Sequence, residues 1–242
     1  MSKRAEIRER RRRARRRKQM TLLFIVVGVA LIFSAILIFP SFHNPVGNAN
    51  GPSSNIVVPT LPDRPMVKGT AMGDPNAPVR IEEYSDFQCP FCARFHHETL
   101  GQIVDTYVAT GKVYFVFRQF AFIGPESFDA ANASLCAAEQ DLFWEYVDYL
   151  FANQTGENVG AFSEPRLEAF AESLGLDMQA FRACMREDRY AKQIQEDYLS
   201  GTEAQVTSTP SFVINGELVV GALPFEEFQR IIEAKLAEAG NN

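Results

Sequence analysis

A chain of 242 residues, 46% hydrophobic and 12% aromatic, can bury one substantial core once its N-terminal segment is set aside, which excludes a polar, coreless polypeptide. The formal net charge of −6 hides an uneven split: residues 1–19 hold eleven Lys or Arg against Glu6 and Glu9, a local +9, and the remainder sums to −15. So uneven a chain is not uniformly solvated, and its two parts face different surroundings.

Arg10 to Arg13 and Arg15 to Lys18 would in isolation suit nucleic acid or a nuclear address. They are followed by Leu22 to Phe39, eighteen uncharged residues interrupted only by Gly28 and Ser34. As a helix this run rises about 27 Å, near the roughly 30 Å of a bilayer's hydrocarbon core. The expected organisation is a basic cytoplasmic segment over 1–19 and a transmembrane helix over 20–40. Everything after Pro40 then lies outside the cell membrane, by the positive-inside rule. The basic block thereby has a topological explanation, and no nucleic-acid partner is expected. A cleaved signal peptide shares the same order of charged and apolar regions and stays open, although the apolar run exceeds the usual stretch of about 7–15 residues and no small-x-small site follows it. Both readings export the rest of the chain. Residues 41–62, uncharged until the domain begins and rich in Asn, Gly, Pro and Ser, read as a flexible linker to a folded domain over 63–242.

The domain opens with an edge strand over Met66 to Thr70 and a turn over 73–78. Val79 to Tyr84 then reads as a strand, and Pro90 to about Thr110 as a helix with Leu100, Ile103, Val104 and Tyr107 on one side. That places Cys89 at the helix N-cap and Pro90 at the first helical position, where a missing N–H costs nothing. Unpaired backbone N–H groups and the positive end of the helix dipole favour a thiolate there. Cys92 follows one turn later, so the pair offers a nucleophile and a resolving thiol for dithiol–disulfide exchange. A structural zinc site would need two more ligands at comparable spacing, and only Cys136 and Cys184, with His96 and His97 in the helix, are at hand; no metal is expected. A purely structural Cys89–Cys92 bridge would restrain little chain entropy. Glu83 shares a strand face with Val79 and Ile81. Either it is a desolvated acid that exchanges a proton with Cys92, or that end of the strand is open and Glu83 is solvated.

Val113 to Gln119, nearly continuous in apolar residues, reads as a parallel neighbour reached by a right-handed crossover, which puts Cys89 at the sheet's carboxyl edge. A helical insertion at about 126–200 follows, in four segments: Glu126 to Asn153, Glu164 to Leu174, Met178 to Arg186 and Arg189 to Leu199. Its aromatic residues Phe143, Trp144, Tyr146, Tyr149 and Phe151 serve packing or line a peptide groove. Cys136 and Cys184 form a structural bridge in an oxidising compartment, or remain two buried thiols. Thr209 to Ile214 is a strand, Asn215-Gly216 a type I′ turn, Glu217 to Val220 the return strand, and Pro224 to Ala237 a closing amphipathic helix.

These residues resemble the thioredoxin superfamily, and within it the exported DsbA-like disulfide oxidoreductases. The resemblance is carried by G-D-P-N-A-P-V-R-I-E-E-Y-S-D-F-Q-C-P-F-C, by the insertion, and by T-P-S-F-V-I-N-G with V-G-A-L-P-F-E-E-F, from roughly Gly73 to Gly240. It implies an α/β thioredoxin fold with a helical insertion. It also implies an exposed nucleophile at Cys89, a buried partner at Cys92, a buried acid at Glu83, and a substrate-pairing cis-proline loop at Thr209-Pro210. Cys136 and Cys184 match an extra cysteine pair of some members. The implied activity is introduction of disulfides into exported proteins, with no cofactor beyond the Cys89–Cys92 disulfide, unfolded exported proteins as substrates and a quinone-linked membrane protein as re-oxidant. Reduction or isomerisation of disulfides, or a non-catalytic binding module, are the alternatives. Phe91 stands where strongly oxidising members carry His, so Cys89 should be less acidic than the roughly 3.5 of DsbA.

Overall fold

Two seven-residue strands with few polar interruptions set the frame of the molecule. β2 (Val79–Ser85) and β3 (Val113–Gln119) run parallel in unbroken register from Val79↔Val113 to Ser85↔Gln119. The computed structural model describes residues 55–240. The basic segment 1–19, the stretch 20–40 expected to be a transmembrane helix and the expected linker as far as residue 54 lie outside the described residues. No helix among the described residues is long and apolar enough to cross a membrane.

Among the described residues the sheet has five strands, in the order β1 (Ala71–Met72), β3, β2, β4 (Ser211–Ile214) and β5 (Glu217–Val220). β1 pairs antiparallel with β3, while β4 pairs antiparallel with β2 and carries β5 at the far edge. The edge strand lies later than the expected Met66 to Thr70. Met66 and Gly69 both have positive φ, and Lys68 and Ala71 exchange hydrogen bonds of 2.9 and 3.1 Å, so this stretch turns before it can join the ladder. Asn215 and Gly216, with φ of 46° and 86°, form the tight turn between β4 and β5.

One helical path, α1, crosses from β2 to β3 over residues 90–108. Its segments Pro90–Phe95 and Gly101–Ile103 are α-helical, and His96–Leu100 and Val104–Val108 are wound as π-helix, a widening that the apolar spacing does not announce. Its buried face presses Phe95 against Phe212 of β4 at 4.6 Å, Phe115 of β3 at 6.5 Å and Phe228 at 5.4 Å between ring centroids. Burying each such ring stabilises the fold by about 2–3 kcal/mol, and one side chain thereby fixes α1 against three elements.

Five helices, not four, make up the insertion: α2 (Pro125–Ala138), α3 (Phe143–Ala152), α4 (Glu164–Ser173), α5 (Met178–Arg186) and α6 (Ala191–Glu203). The expected helix from Glu126 to Asn153 is broken after Ala138, where Asp141 adopts φ 58° and the chain turns so that α3 packs back on α2. Trp144 of α3 is fully buried against Phe115 and Phe117, which joins the insertion to the sheet in one core. The aromatic residues of α3 therefore serve packing. Cys136 of α2 and Cys184 of α5 are joined by a disulfide across 48 residues of sequence. The final helix, α7 (Phe225–Gly240), closes the fold with Phe228, Ile231 and Ile232 buried.

Candidate active site

Cys89 stands at the N-cap of α1 in extended conformation, with Pro90 next in the first turn and Cys92 facing inward one turn later. Both sulfurs are free thiols, Cys92 is fully buried, and Cys89 is only 5% exposed. The open nucleophile implied by the resemblance is thus a thiol with a narrow accessible edge. The covering group is the loop before β4, where the Cys89 thiol donates to the Thr209 carbonyl at 3.3 Å. The Thr209–Pro210 peptide is cis, and the Pro210 carbonyl is engaged by the Gly221 N–H at 2.8 Å.

The two sulfurs are driven apart in acidity. A hydrogen bond from the Cys92 thiol is the largest effect on Cys89 and brings it down to about 6; burial opposes this, while Thr209 and the N–H groups of Cys92 and Phe91 add to it. Burial pushes the Cys92 thiol well above its ordinary value, and negative charge on Cys89 and Glu83 raises it further. The side chain of Phe91, 54% exposed, offers no hydrogen bond, and its ring lies under the Arg94 guanidinium at 5.1 Å, while Arg94 also donates to the Ala222 carbonyl at 3.2 Å.

Glu83 is 1% exposed, on the face of β2 that α1 covers. Burial pushes its carboxyl up to about 8; Ser85 opposes the shift and the charge of Cys89 adds to it. Of the two readings open in the sequence, the geometry is that of the desolvated acid.

Several residues that hold this site in place escaped the sequence reading. The buried carboxylate of Asp86 accepts from the Gln88 N–H at 2.8 Å, the Ser127 hydroxyl at 2.6 Å and the Phe122 and Ile123 N–H groups at 2.9 and 3.1 Å. Gln154, just past α3, donates to the carbonyls of Phe87 at 2.6 Å and Cys89 at 3.1 Å. The insertion therefore clamps the loop that presents Cys89. Asp two residues before a turn N–H is an Asx-turn signal, and it was available in S-D-F-Q.

Behind the site, Arg64 grips Asp148 of α3 with two hydrogen bonds of 2.9 and 2.7 Å, and His96 Nε2 of α1 lies 2.7 Å from the same carboxylate. All three side chains are buried. Burial would raise Asp148, but His96 and Arg64 hold it below the usual carboxylate value, while burial lowers His96. Val57, inside the stretch read as linker, exchanges two 2.8 Å hydrogen bonds with Asn153. Among the described residues no group of three His, Cys, Asp or Glu is placed to hold a metal.

The sequence family described as thioredoxin matches residues 66–234. The chain is 32% identical over 187 residues to a Na(+)/H(+) antiporter NhaA 3 of Salinispora tropica, a match covering 76% of this chain and 27% of that protein. It therefore spans little more than a quarter of the length of that relative. It is 28% identical over 171 residues to a probable disulfide bond formation protein D of Bacillus anthracis, covering 69% of this chain and 77% of the relative. Among solved structures it is similar to oxidised BdbD from Bacillus subtilis, with a TM-score of 0.65 and 24% identity over 76% of this chain and all of the other, a likeness of fold.

Proposed function

The chain belongs to the thioredoxin family, and on that premise we propose that it is a DsbA-like thiol:disulfide oxidoreductase, tethered to the membrane, that introduces disulfides into exported proteins. The observation that carries this reading is the placement of Cys89 at the N-cap of α1, with its thiol against the Thr209 carbonyl and Cys92 buried one turn behind it.

In the oxidised enzyme a substrate thiolate attacks Cys89 Sγ, the Cys89–Cys92 bond breaks, and Cys92 leaves as a thiolate that takes a proton from Glu83. Cys89 then carries the substrate in a mixed disulfide; having no proton in either disulfide form, it leaves the Thr209 carbonyl, its acceptor in the reduced protein, open to an N–H from an extended substrate strand. A second substrate thiolate attacks the substrate sulfur, forming the new disulfide and expelling Cys89 as a thiolate. Two electrons have passed from substrate to enzyme. A quinone-linked membrane protein would take them on by family analogy, and the disulfide is the only redox group required. Residues 1–19 would lie in the cytoplasm, 20–40 span the membrane, and 41–62 connect it to the domain over 63–242, with unfolded exported chains as substrates and no nucleic acid involved.

A Cys89 value near 6 stabilises the ionised, reduced pair at pH 7 by about 1.4 kcal/mol, about 30 mV for this two-electron couple. The roughly 3.5 of DsbA gives about 5 kcal/mol, or about 100 mV. The full-length chain equilibrated in glutathione buffers should therefore show a potential between the roughly −270 mV of thioredoxin and the roughly −120 mV of DsbA. The modest depression of Cys89 also favours a second reading, a reductase or isomerase, and a potential at the thioredoxin end would select it. Retention of full activity by Cys89→Ser would abolish both in favour of a non-catalytic module.

A further inference from the structure

Breaking the Cys89–Cys92 disulfide creates a buried thiolate at Cys92 that must find a proton without access to bulk water. Glu83 has one to give, but a carboxylic acid on a strand and a thiol on the helix above it need a path between them. Among the described residues four buried polar side-chain atoms lack a partner at hydrogen-bonding geometry: Ser85 Oγ, Trp144 Nε1, Glu145 Oε2 and Thr209 Oγ1. Two of the four sit beside the sulfur pair, Thr209 against Cys89 and Ser85 at the end of β2 nearest Cys92.

Ser85 is fully buried and, by the two-residue period of β2, points to the same covered face as Val79, Ile81 and Glu83. Its backbone is fully used, since its carbonyl accepts from the Phe120 N–H at 2.9 Å and it sits opposite Gln119 in the parallel ladder. Only the hydroxyl lacks a partner at full hydrogen-bonding geometry, although it lies close enough to Glu83 and Cys92 to act on both. A buried hydroxyl without a well-aligned partner is a cost to the fold, and Ala would remove that cost without altering the strand. The same hydroxyl lowers the pKa of both Glu83 and Cys92, which makes it the neighbour the two groups share.

We propose that Ser85 is the relay through which Glu83 and Cys92 exchange a proton, a role that rests on the oxidoreductase reading above. When the disulfide opens, the Ser85 O–H donates to the Cys92 thiolate and Ser85 Oγ takes the Glu83 proton in the same motion. The products are a Cys92 thiol, a Glu83 carboxylate and an unchanged Ser85. When the disulfide re-forms, the Cys92 thiol passes its proton to Ser85, Ser85 passes its own to the Glu83 carboxylate, and the Cys92 thiolate attacks the sulfur of Cys89 in the mixed disulfide, expelling the partner's thiolate. A hydroxyl both gives and receives, so the atoms balance without any added reactant.

The test is stopped-flow reduction of the oxidised full-length chain by dithiothreitol from pH 5 to 9, followed by the fluorescence of Trp144, the chain's single tryptophan, in wild type, Ser85→Ala, Glu83→Gln and the double variant. The expected result is a loss of about a hundredfold at pH 7 for each single variant, the lower end of the range for one proton-transfer group. The double variant should lose no more than either single one, because both act on one path. Wild type should show an inflection near pH 8 that both single variants lack, and Ser85→Ala should melt at or above the wild-type temperature. Ser85→Ala reacting at the wild-type rate with the inflection intact, or losses that multiply in the double variant, would overturn the relay while leaving the oxidoreductase reading in place. A wild-type chain that does not react at all would overturn that reading, and the relay with it.

Discussion

Replacing Glu83 by Gln keeps the volume of the side chain and removes its ability to ionise. In the folded protein burial holds the Glu83 carboxyl at about 8, against 4.5 for an ordinary glutamate. A carboxyl whose folded pKa lies above its unfolded value binds its proton more tightly in the native state. Wild-type stability therefore falls as pH rises from about 4.5 to about 8 and levels off above. At 1.36 kcal/mol per pKa unit, the burial of Glu83 costs about 3 kcal/mol at pH 7 and about 5 kcal/mol above pH 8. Glu83→Gln should match wild type near pH 4.5 and exceed it by those amounts at pH 7 and above. Urea unfolding of the reduced full-length protein at pH 5, 6, 7 and 8 measures this. Titrating groups away from Glu83, His96 among them, act equally on both proteins and drop out of the difference, and the coupled Cys89 is silenced by making the comparison in a Cys89→Ser background. A difference that stays constant within about 0.5 kcal/mol across that range would mean that Glu83 is solvated, and would refute the burial of its charge.

Asp148→Asn leaves the Arg64 guanidinium buried without its counter-charge, and thermal unfolding should show a loss of about 3–5 kcal/mol; a loss below about 1 kcal/mol would mean that water reaches Arg64. Removing the Cys136–Cys184 bridge with a double Ala variant frees a 48-residue separation and should cost about 4 kcal/mol, or roughly 10 °C of melting temperature, by calorimetry. Exchange through Cys89 should persist in that variant, and its disappearance in a protein that remains folded would tie the bridge to the chemistry.

The frame of the fold was legible where a local pattern had one structural meaning. Val79 to Tyr84 and Val113 to Gln119 read as strands, and Pro90 after Cys89 marked the start of α1. The break between α2 and α3 was not legible because both helices are buried nearly all round. Ala130, Ala131, Ala133 and Ala137 in α2 and eight of the ten residues of α3 face protein, so no apolar stripe exists whose slip in phase would expose the turn at Asp141. The first strand was misplaced for a different reason. Met66 takes a positive φ that its side chain gives no cause to expect, and the turn it begins consumes the residues read as strand.

The site divides along the same line. Cys89, Cys92 and the helix start are neighbours in sequence, so their chemistry was written locally. Glu83 was placed on the right face by spacing, but its burial depends on what lies over β2, which spacing does not say. The supports were invisible for that reason: Gln154 reaches the loop from 65 residues away, and Arg64 meets Asp148 across 84. The departure at Phe91 shows what each level contributes. The effects that bring Cys89 to about 6 come from Cys92, from Thr209 and from the N–H groups of Cys92 and Phe91, and none requires a side-chain donor at position 91. A C-P-x-C loop on a helix start thus has its acidity set in two layers. The helix start, Cys92 and the loop at Thr209 act whatever residue stands between Pro90 and Cys92, and a donor at that position would add to them. Phe91 withholds the second, which is why an acidic but not extremely acidic thiol follows from this loop.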